Sequence, residues 1–307
     1  MRILIVGAGG VGGFFGARLI QAGADVTYLL RPARRALIER QGLVIETPQG
    51  SFTVRPQTVL AEELTPDYDL IVLSPKAYDL DNALTSIAGA SARGVLVPVL
   101  NGLAHMRVLD ARFGRARVMG GVAHIVATIA DNGAVRQLTP LAVLTVGPRD
   151  PAHEAVAREF YRRCQAAQFD SRYTETIEQA LWDKWTFLAA LAGATTLCRG
   201  AVGDIVATEH GAALITAMHD ECLAVASACG FGVAEAVSAV SVARLTEAGS
   251  PMNSSMLRDL LGGSRTEHEH ILGEMVRLAA AKEVPCPLLQ AALTHMRVET
   301  RLPAPQA

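Results

Sequence analysis

The chain has 307 residues, of which half are hydrophobic and 19% are charged, and its formal net charge is −2. A chain of this length exceeds what one compact core usually fills, so the sequence predicts two domains. The near-neutral charge and an aromatic content of 5% argue against a surface that binds nucleic acid or anionic membranes.

The five cysteines form no CxxC pair and no spacing typical of a zinc site. Their odd count does not suit a disulfide framework, so we expect free thiols in a reducing compartment and a cytoplasmic protein. The first apolar run, Ile3 to Val6, is short and is followed by glycines, which favours a strand over a signal peptide. The run at 186–197 is too short to span a bilayer, so no membrane partner is expected.

The first 113 residues alternate between apolar strands and helices. Strands that are apolar throughout are typical of a parallel sheet covered on both faces. In chain order the sequence predicts a strand at 2–7, a helix at 9–23, a strand at 25–31, a helix at 32–42, a hairpin at 43–54, strands at 69–76 and 94–102, and helices near 78–90 and 104–113.

The pattern changes after this alternating segment. Residues 118–148 predict three strands joined by turns at DNG and TP, and a helix follows at 152–167. Beyond 171 the pattern is helical almost throughout, down to a PAPQA tail that we expect to be frayed. The predicted fold class is α/β: an N-terminal Rossmann-type dinucleotide-binding domain over 1–170 and a second, all-helical domain for substrate binding and dimerisation over 171–307.

The glycines at the start have the spacing G-x-G-x-x-G between a predicted strand and a predicted helix. In this motif Gly7 permits the tight turn, Gly9 lets the backbone approach a pyrophosphate, and Gly12 lets the helix pack closely on the strand. The start of the helix also attracts phosphate charge. The predicted cofactor contacts in this segment are Gly7, Gly9, Gly10, Val11 and Gly12. The alternative is a glycine turn that serves packing alone.

The second predicted strand ends in Arg31. An enzyme that reads the ribose hydroxyl of NAD usually has Asp or Glu at this place, whereas a cation accommodates the 2′-phosphate of NADP. The sequence therefore predicts NADP (NADPH) as the cofactor. Arg34 and Arg35 follow closely, so a solvated basic helix face is the alternative reading for this region.

Several further motifs occur in the order found in one protein family: SPKAYD, LNG, MGGVAH, TVGP, LWDKW, NSSMLRD and RTEHEHILGEM. The chain resembles the ketopantoate reductases (2-dehydropantoate 2-reductases) over essentially its whole length. The resemblance implies NADPH-dependent reduction of a small 2-oxo acid to a 2-hydroxy acid, namely ketopantoate to pantoate in pantothenate biosynthesis. It also implies a homodimer.

The resemblance assigns roles to individual residues. Lys184 matches the catalytic lysine of the family and Glu267 its active-site glutamate. Ser255, the second serine of NSSM, matches the serine that meets the substrate carboxylate. Lys76 and Asn101 match a lysine and an asparagine at two strand ends that contact cofactor and substrate.

The residues suit this chemistry. Lys184 can donate a proton to a carbonyl oxygen as an ammonium, and its charge stabilises the developing oxyanion. Burial should lower its pKa, and a carboxylate such as Glu267 should raise it. The alternatives are a lysine that extends to solvent, a solvated helix face for Glu267 and a helix cap for Ser255. We expect no metal at HEH (268–270), since helical residues two apart diverge by about 200°.

The sequence departs from the family pattern beyond the lysine. The family carries asparagines four and eight residues after it, where this chain has Leu188 and Ala192. A less polar pocket suits a bulkier or more apolar 2-oxo acid, or ketopantoate held more weakly through Ser255 and Asn101. Thr195 and Thr196, one turn further on, are candidates to compensate for the missing amides. A catalytically silent NADPH-binding sensor is a further alternative.

Overall fold

A computed structural model describes residues 1–90 and 93–301. The chain divides into two compact units: the first contains Met1–Leu100 and His105–Glu178, and the second contains Asn101–Ala104 and the chain from Gln179 onward. The units divide at 178, later than the predicted boundary at 170, because residues 170–173 pair with a strand of the first unit. The PAPQA tail lies outside the described residues.

The strands belong to the first unit. They are β1 Arg2–Val6, β2 Asp25–Leu29, β3 Leu43–Thr47, β4 Gly50–Val54, β5 Gln57–Val59, β6 Leu70–Leu73, β7 Val95–Pro98, β8 Gly120–Ile129, β9 Val135–Gly147 and β10 Asp170–Tyr173. The helices of this unit are α1 Gly10–Gln21, α2 Pro32–Gln41, α3 Leu80–Ser86, α4 Ala104–Phe113 and α5 Glu154–Gln165, where α4 begins at the last residue of the 101–104 segment.

Five strands form a parallel sheet in the order β5-β2-β1-β6-β7. The middle strand is buried on both faces, with Ile3 and Leu4 fully inaccessible to solvent. This confirms the Rossmann-type sheet expected from the continuously apolar strands. Val6 is in register with Leu29 on one side and with Leu73 on the other. The carboxyl ends of β1, β2 and β6 therefore lie level at one edge, where open α/β sheets bind ligands.

The remaining strands form a mixed sheet in the order β10-β9-β3-β4, and β8 pairs with β9. The prediction of three strands over 118–148 is wrong, since β8 and β9 are two long strands and TP lies within β9. The register changes between the pairs Ile125–Ala142 and Ala127–Gln137, so residues 138–141 bulge out of the ladder and do not reverse the chain. The short strands β5 and β10 were not predicted, because few residues and polar side chains leave little period-2 signal.

The second unit is helical in its described residues. Its helices are α6 Ile177–Cys198, which begins just before the division, α7 Val202–Val206, α8 Gly211–Ala228, α9 Glu235–Leu245, α10 Ser255–Leu261, α11 Glu274–Ala281, which follows a π-helical turn at Glu269–Gly273, and α12 Pro287–Glu299. Within the described residues, no helix is both long and apolar enough to cross a bilayer.

The helix α6 is largely buried within this unit. Trp185 is 1% exposed, and Ala189, Ala190 and Ala192 are fully buried. Small residues let the surrounding helices approach α6 closely, and a helix that is apolar on most sides is typically a buried one. Side chains on α6 are therefore held on a rigid support.

Candidate active site

The glycine loop connects β1 to α1. Gly7 has φ +91°, a conformation that favours glycine, and Gly9 is the residue that caps α1. A Cβ at Gly12 would collide with the Ser74 side chain, and one at Gly10 would lie 2.7 Å from the Ala127 carbonyl oxygen. A Cβ at Gly9 would meet no heavy atom within 4 Å. Gly10 and Gly12 thus serve close packing, whereas Gly9 leaves open space where a ligand can approach the backbone.

The side chain of Val11 is half-buried and packs against the core of the first unit. The first turn of α1 has no acidic side chain. An open helix start of this kind accepts a phosphate group without repulsion. The glycine loop therefore fits a dinucleotide, and Val11 contributes to it through packing and its backbone.

Arg31 is the residue between β2 and α2, at the carboxyl edge of the parallel sheet. Its side chain is 72% exposed, and its Nη2 lies 3.1 Å from Oδ1 of Asp79. Asp25 lies at the other end of β2, in register with Arg2. The place where an acidic residue would read the ribose hydroxyl of NAD therefore carries a cation, which fits NADP.

The two arginines after Arg31 have different surroundings. Arg35 pairs with Glu39 and Glu63 at the surface, which is the solvated basic face considered from the sequence. Arg34 is half-buried and donates hydrogen bonds to two backbone carbonyls, those of Ala8 and Gly133. The alternative reading of this region is thus correct for Arg35 only.

Lys76 follows β6 at the same edge of the sheet. Its carbonyl accepts a hydrogen bond from the Asp79 N–H at 2.9 Å, which closes a short 3₁₀ turn at Ala77–Asp79. Ser74, two residues earlier, donates to the Val6 carbonyl at 3.0 Å and ties this loop to the end of β1. The loop after β6 thereby presents both Lys76 and the partner of Arg31.

In the second unit, Nζ of Lys184 donates a hydrogen bond to Oδ1 of Asn101 at 2.8 Å. Asn101 is followed by Gly102, which has φ +74°. A Cβ at Gly102 would lie 2.9 Å from the His270 ring and from the His270 carbonyl oxygen. Only glycine therefore allows this segment to pack against His270 and to bring the Asn101 amide to α6.

The electrostatics at Lys184 follow from its surroundings. Burial lowers the pKa of Lys184 to about 8, and the Glu267 carboxylate acts in the opposite direction. Both directions agree with those expected from the sequence. Glu267 is 7% exposed. Burial also lowers the pKa of His270, although Glu267 opposes this, so the imidazole is neutral at neutral pH. Lys184, Asn101, Glu267 and His270 thus form one cluster.

The segment that carries Glu267 is anchored to α6. The Trp185 indole N–H donates to the Ile271 carbonyl at 3.1 Å. The Glu267 carbonyl accepts hydrogen bonds from the backbone N–H groups of His270 and Ile271, at 3.0 Å each. A π-helical turn follows directly, and such turns are frequent at functional sites. Because Trp185 is next to Lys184, a single helix positions both the lysine and the segment of its counter-charge.

The three side chains of HEH make different contacts, although Nε2 of His268 also lies 3.7 Å from Oε1 of Glu269. Nδ1 of His268 lies 2.8 Å from the Thr266 hydroxyl, and Glu269 forms a two-point ion pair with Arg297 of α12. His270 lies by Asn101. Their divergence agrees with the geometry of residues two apart on a helix.

Ser255 is the first residue of α10 and is partly buried. The side chain that caps α10 is that of Ser254, whose Oγ accepts a hydrogen bond from the Leu257 N–H at 3.0 Å. The capping role considered for Ser255 therefore belongs to its neighbour. No hydrogen bond of the Ser255 side chain within the described structure assigns it another structural role, so its place at the start of α10 is compatible with ligand contact.

Thr195 and Thr196, the candidates to compensate for the missing amides on α6, form hydrogen bonds with other groups of the second unit. The Thr195 hydroxyl donates to the Leu191 carbonyl at 2.6 Å and lies 2.9 Å from Oγ of Ser254. The Thr196 hydroxyl donates to the Ala192 carbonyl at 2.6 Å. Both threonines are fully buried. They do not replace side-chain amides next to Lys184.

Leu188 lies one helical turn after Lys184 on the same side of α6 and is partly exposed. Ala192 is fully buried in the core of the unit. Of the two positions that depart from the family pattern, only Leu188 therefore presents a surface. This surface is apolar.

Sequence reasoning did not predict the partners of three residues, namely Asp79, Arg34 and Trp185. Asp79 lies within SPKAYD and Trp185 within LWDKW, so the motifs contained them without indicating their partners. Arg34 was predicted only as part of a basic region, because its carbonyl partner Gly133 lies 99 residues away.

Comparison with known proteins agrees with these features. The family model "Ketopantoate reductase PanE/ApbA" matches residues 3–151, and the model of the C-terminal part of that family matches residues 176–299. An uncharacterized oxidoreductase of Bacillus subtilis, YkpB, is 30% identical over 97% of this chain and 98% of its own. A 2-dehydropantoate 2-reductase of Halobacterium salinarum is 26% identical over 98% of this chain and 99% of its own.

A solved structure gives the same result for the fold. The 2-dehydropantoate 2-reductase of Geobacter metallireducens superposes with a TM-score of 0.88 at 26% identity, covering 97% of this chain and 99% of the other. The resemblance inferred from the motifs is thereby confirmed. With both parts of the family matched along nearly the whole length, the chain belongs to the ketopantoate reductase PanE/ApbA family of NADP-dependent oxidoreductases that act on CH–OH groups.

Proposed function

We propose that the protein reduces a 2-oxo acid to a 2-hydroxy acid with NADPH, and that the substrate is ketopantoate, reduced to pantoate for pantothenate biosynthesis in the cytoplasm. One observation carries the proposal: the Lys184 ammonium, 2.8 Å from the Asn101 amide oxygen, is buried in a cluster with Glu267. A buried, oriented cation of this kind matches what the reduction of a carbonyl group requires. The five free thiols support a reducing compartment.

NADPH, which the glycine loop and Arg31 would hold, would supply the hydride for the carbonyl carbon. Lys184 stabilises the negative charge that develops on the carbonyl oxygen and donates a proton to it. Asn101 accepts one of the three ammonium hydrogens and so restricts the direction of the others. Glu267 keeps the buried lysine protonated by raising its pKa against the effect of burial. With a pKa of about 8, roughly nine tenths of the lysine is protonated at neutral pH.

Substrate binding is proposed for Ser255 and Asn101. The Ser255 hydroxyl would donate a hydrogen bond to the substrate carboxylate, while the neighbouring Ser254 holds the start of α10 in place. Asn101 would contact the substrate through its amide nitrogen, because its amide oxygen is engaged by Lys184. Lys76 and Asn101 are proposed to contact the cofactor from the loops that follow β6 and β7.

The preference for NADPH is proposed to come from Arg31. Arg31→Ala is expected to weaken the binding of NADPH by roughly tenfold or more, which is the scale of a lost hydrogen bond between charged groups. The affinity for NADH should change little. Dissociation constants from cofactor fluorescence measure both. Arg35→Ala is the matched control, because Arg35 is engaged by Glu39 and Glu63. Equal losses for both cofactors would contradict a role at the 2′-phosphate.

A second candidate substrate is a 2-oxo acid with an apolar side chain, which the apolar surface of Leu188 favours. Ketopantoate carries a terminal hydroxyl, and Leu188 offers it no hydrogen bond. A hydrophobic wall penalises such a hydroxyl only modestly, by up to about 10²-fold. The two candidate substrates would therefore be reduced by the same chemistry at Lys184 and would differ in kcat/KM.

The deciding experiment follows NADPH oxidation with ketopantoate and with branched and aromatic 2-oxo acids that lack the hydroxyl. The highest kcat/KM with ketopantoate supports the first candidate, and a higher value with an apolar oxo acid supports the second. Tight NADPH binding without turnover of any oxo acid would refute the reductase function and favour a cofactor-binding sensor.

We also propose a homodimer formed through the helical unit. Val237 and Val240 on α9 are 38% and 62% exposed, and Leu261 at the end of α10 is 58% exposed. Large exposed apolar patches mark interaction sites, and we propose that these three side chains belong to such a patch. Light scattering in solution should give twice the chain mass of 32.5 kDa. A mass equal to one chain at micromolar concentration would rule the dimer out.

A further inference from the structure

The guanidinium of Arg34 bridges two backbone carbonyls of the first unit. Its Nη2 donates to the Ala8 carbonyl at 2.9 Å, and its Nη1 donates to the Gly133 carbonyl at 2.7 Å. Ala8 is the residue between Gly7 and Gly9 in the glycine loop. Gly133 has φ +80° in the turn that joins β8 to β9. A planar fork of donors is suited to hold two acceptors at once, which a lysine ammonium does less well.

The turn at Gly133 is a firm support for this contact. A Cβ at Gly133 would collide with Leu37 of α2 and lie 3.2 Å from Nη1 of Arg34. The Gln41 side chain, at the end of α2, donates to the Asn132 carbonyl at 3.1 Å. The helix that carries Arg34 therefore contacts this turn near both of its ends. These contacts fix the position of the guanidinium.

The contact with Ala8 sets the orientation of one peptide group. A peptide bond is planar and trans, so the carbonyl of Ala8 and the N–H of Gly9 point in opposite directions. Because Arg34 holds the carbonyl on its own side, the Gly9 N–H is directed away from Arg34. The flanking glycines at 7 and 9 have more backbone freedom than other residues, so this peptide needs an external contact to hold one orientation.

We propose that Arg34 is a positioning residue for the cofactor: it holds the Ala8–Gly9 peptide so that the Gly9 N–H is available to the pyrophosphate, and it does not bind a phosphate itself. This inference rests on the proposed binding of NADPH. It separates three neighbouring arginines by role: Arg31 binds the 2′-phosphate, Arg34 orients the loop, and Arg35 lies in surface ion pairs.

The test compares the affinities of three ligands: NADPH, NADH and adenosine 2′-monophosphate, which has the 2′-phosphate and lacks the pyrophosphate. Arg34→Met is expected to weaken the binding of NADPH and of NADH by the same factor, roughly tenfold. The affinity for adenosine 2′-monophosphate should not change. Arg34→Lys keeps the charge but cannot bridge both carbonyls, so it should also weaken both dinucleotides equally. Arg35→Met is the matched control and should change none of the three.

Two results would overturn the inference. Unchanged affinity of Arg34→Met for both dinucleotides would show that the loop needs no external contact. If Arg34→Met lost its affinity for NADPH and adenosine 2′-monophosphate but kept its affinity for NADH, Arg34 would be a phosphate ligand. Arg34→Lys decides the same question if thermal melting shows that Arg34→Met is unfolded. Failure of the wild type to bind either dinucleotide would instead refute the proposed function.

Discussion

Replacing Glu267 by glutamine should move the pH at which the reduction slows. Burial lowers the pKa of Lys184 to about 8, and Glu267 opposes that effect. Glutamine keeps the size of the side chain and removes its charge, so the pKa of Lys184 should fall further. A neutral amine cannot donate the proton, and the rate is therefore lost at a lower pH in Glu267→Gln than in the wild type.

The size of the effect follows from the Coulombic interaction of the Glu267 carboxylate with the lysine. A nearby opposite charge changes a pKa by about 1–3. Loss of the smallest such contribution moves the midpoint from about 8 to about 7. At a pH of about 8, the wild type then retains roughly half of its maximal rate and Glu267→Gln roughly a tenth. The difference should vanish at acidic pH, where both lysines are protonated.

Single-turnover oxidation of bound NADPH, measured across the pH range, isolates the chemical step from product release. Glu269→Gln is the matched control, since Glu269 lies two residues away and pairs with Arg297 of α12. Its pH profile should match that of the wild type. An unchanged midpoint in Glu267→Gln would refute the electrostatic role of Glu267, and a midpoint moved to higher pH would refute the role of Lys184 as the proton donor.

Substitutions at three positions of α6 give further tests. Lys184→Ala should lower kcat by about 10²-fold or more, the scale of a lost general acid, and a single-turnover rate near that of the wild type would refute its role as the proton donor. Leu188→Asn should raise kcat/KM for ketopantoate relative to an oxo acid without the hydroxyl, and an unchanged ratio would show that Leu188 does not contact the substrate. Thr195→Val leaves the buried hydroxyl of Ser254 without its acceptor, which should destabilise the fold by about 1–3 kcal/mol in urea unfolding. The same variant should raise KM for the oxo acid without weakening NADPH. Thr195→Ser should restore both properties, and failure of this rescue would rule out the hydroxyl as the cause.

Local patterns in the sequence predicted the strands, helices and turns whose own residues show a characteristic apolar run or spacing. The apolar runs at the start of the chain predicted a parallel sheet, because strands covered on both faces are apolar throughout. The glycine spacing predicted a turn between β1 and α1, because its backbone geometry requires glycine at Gly7. The same local reasoning failed for TP in β9. These two residues lie in a bulge of β9, which pairs with β8 on both sides of the bulge, and they do not join two strands.

Partner choice could not be predicted in this way. Ser254 and Ser255 are adjacent and chemically identical, and only the orientation of α10 decides that Ser254 caps the helix. Arg34 and Arg35 are likewise adjacent, yet one holds backbone carbonyls and the other forms ion pairs at the surface. A helix turns by about 100° per residue, so neighbours face different surroundings that depend on the packing of the whole unit.

The sequence by itself determined the family, the Rossmann-type start and the identity of the buried lysine, because these depend on residue types and on short spacings. The tertiary structure decided which groups surround that lysine. Asn101 lies 83 residues from Lys184 in the chain, and Glu267 lies further along on another segment. Contacts over such separations arise when helices and loops pack around a shared core, and that packing also decided that Leu188 presents a surface whereas Ala192 is buried.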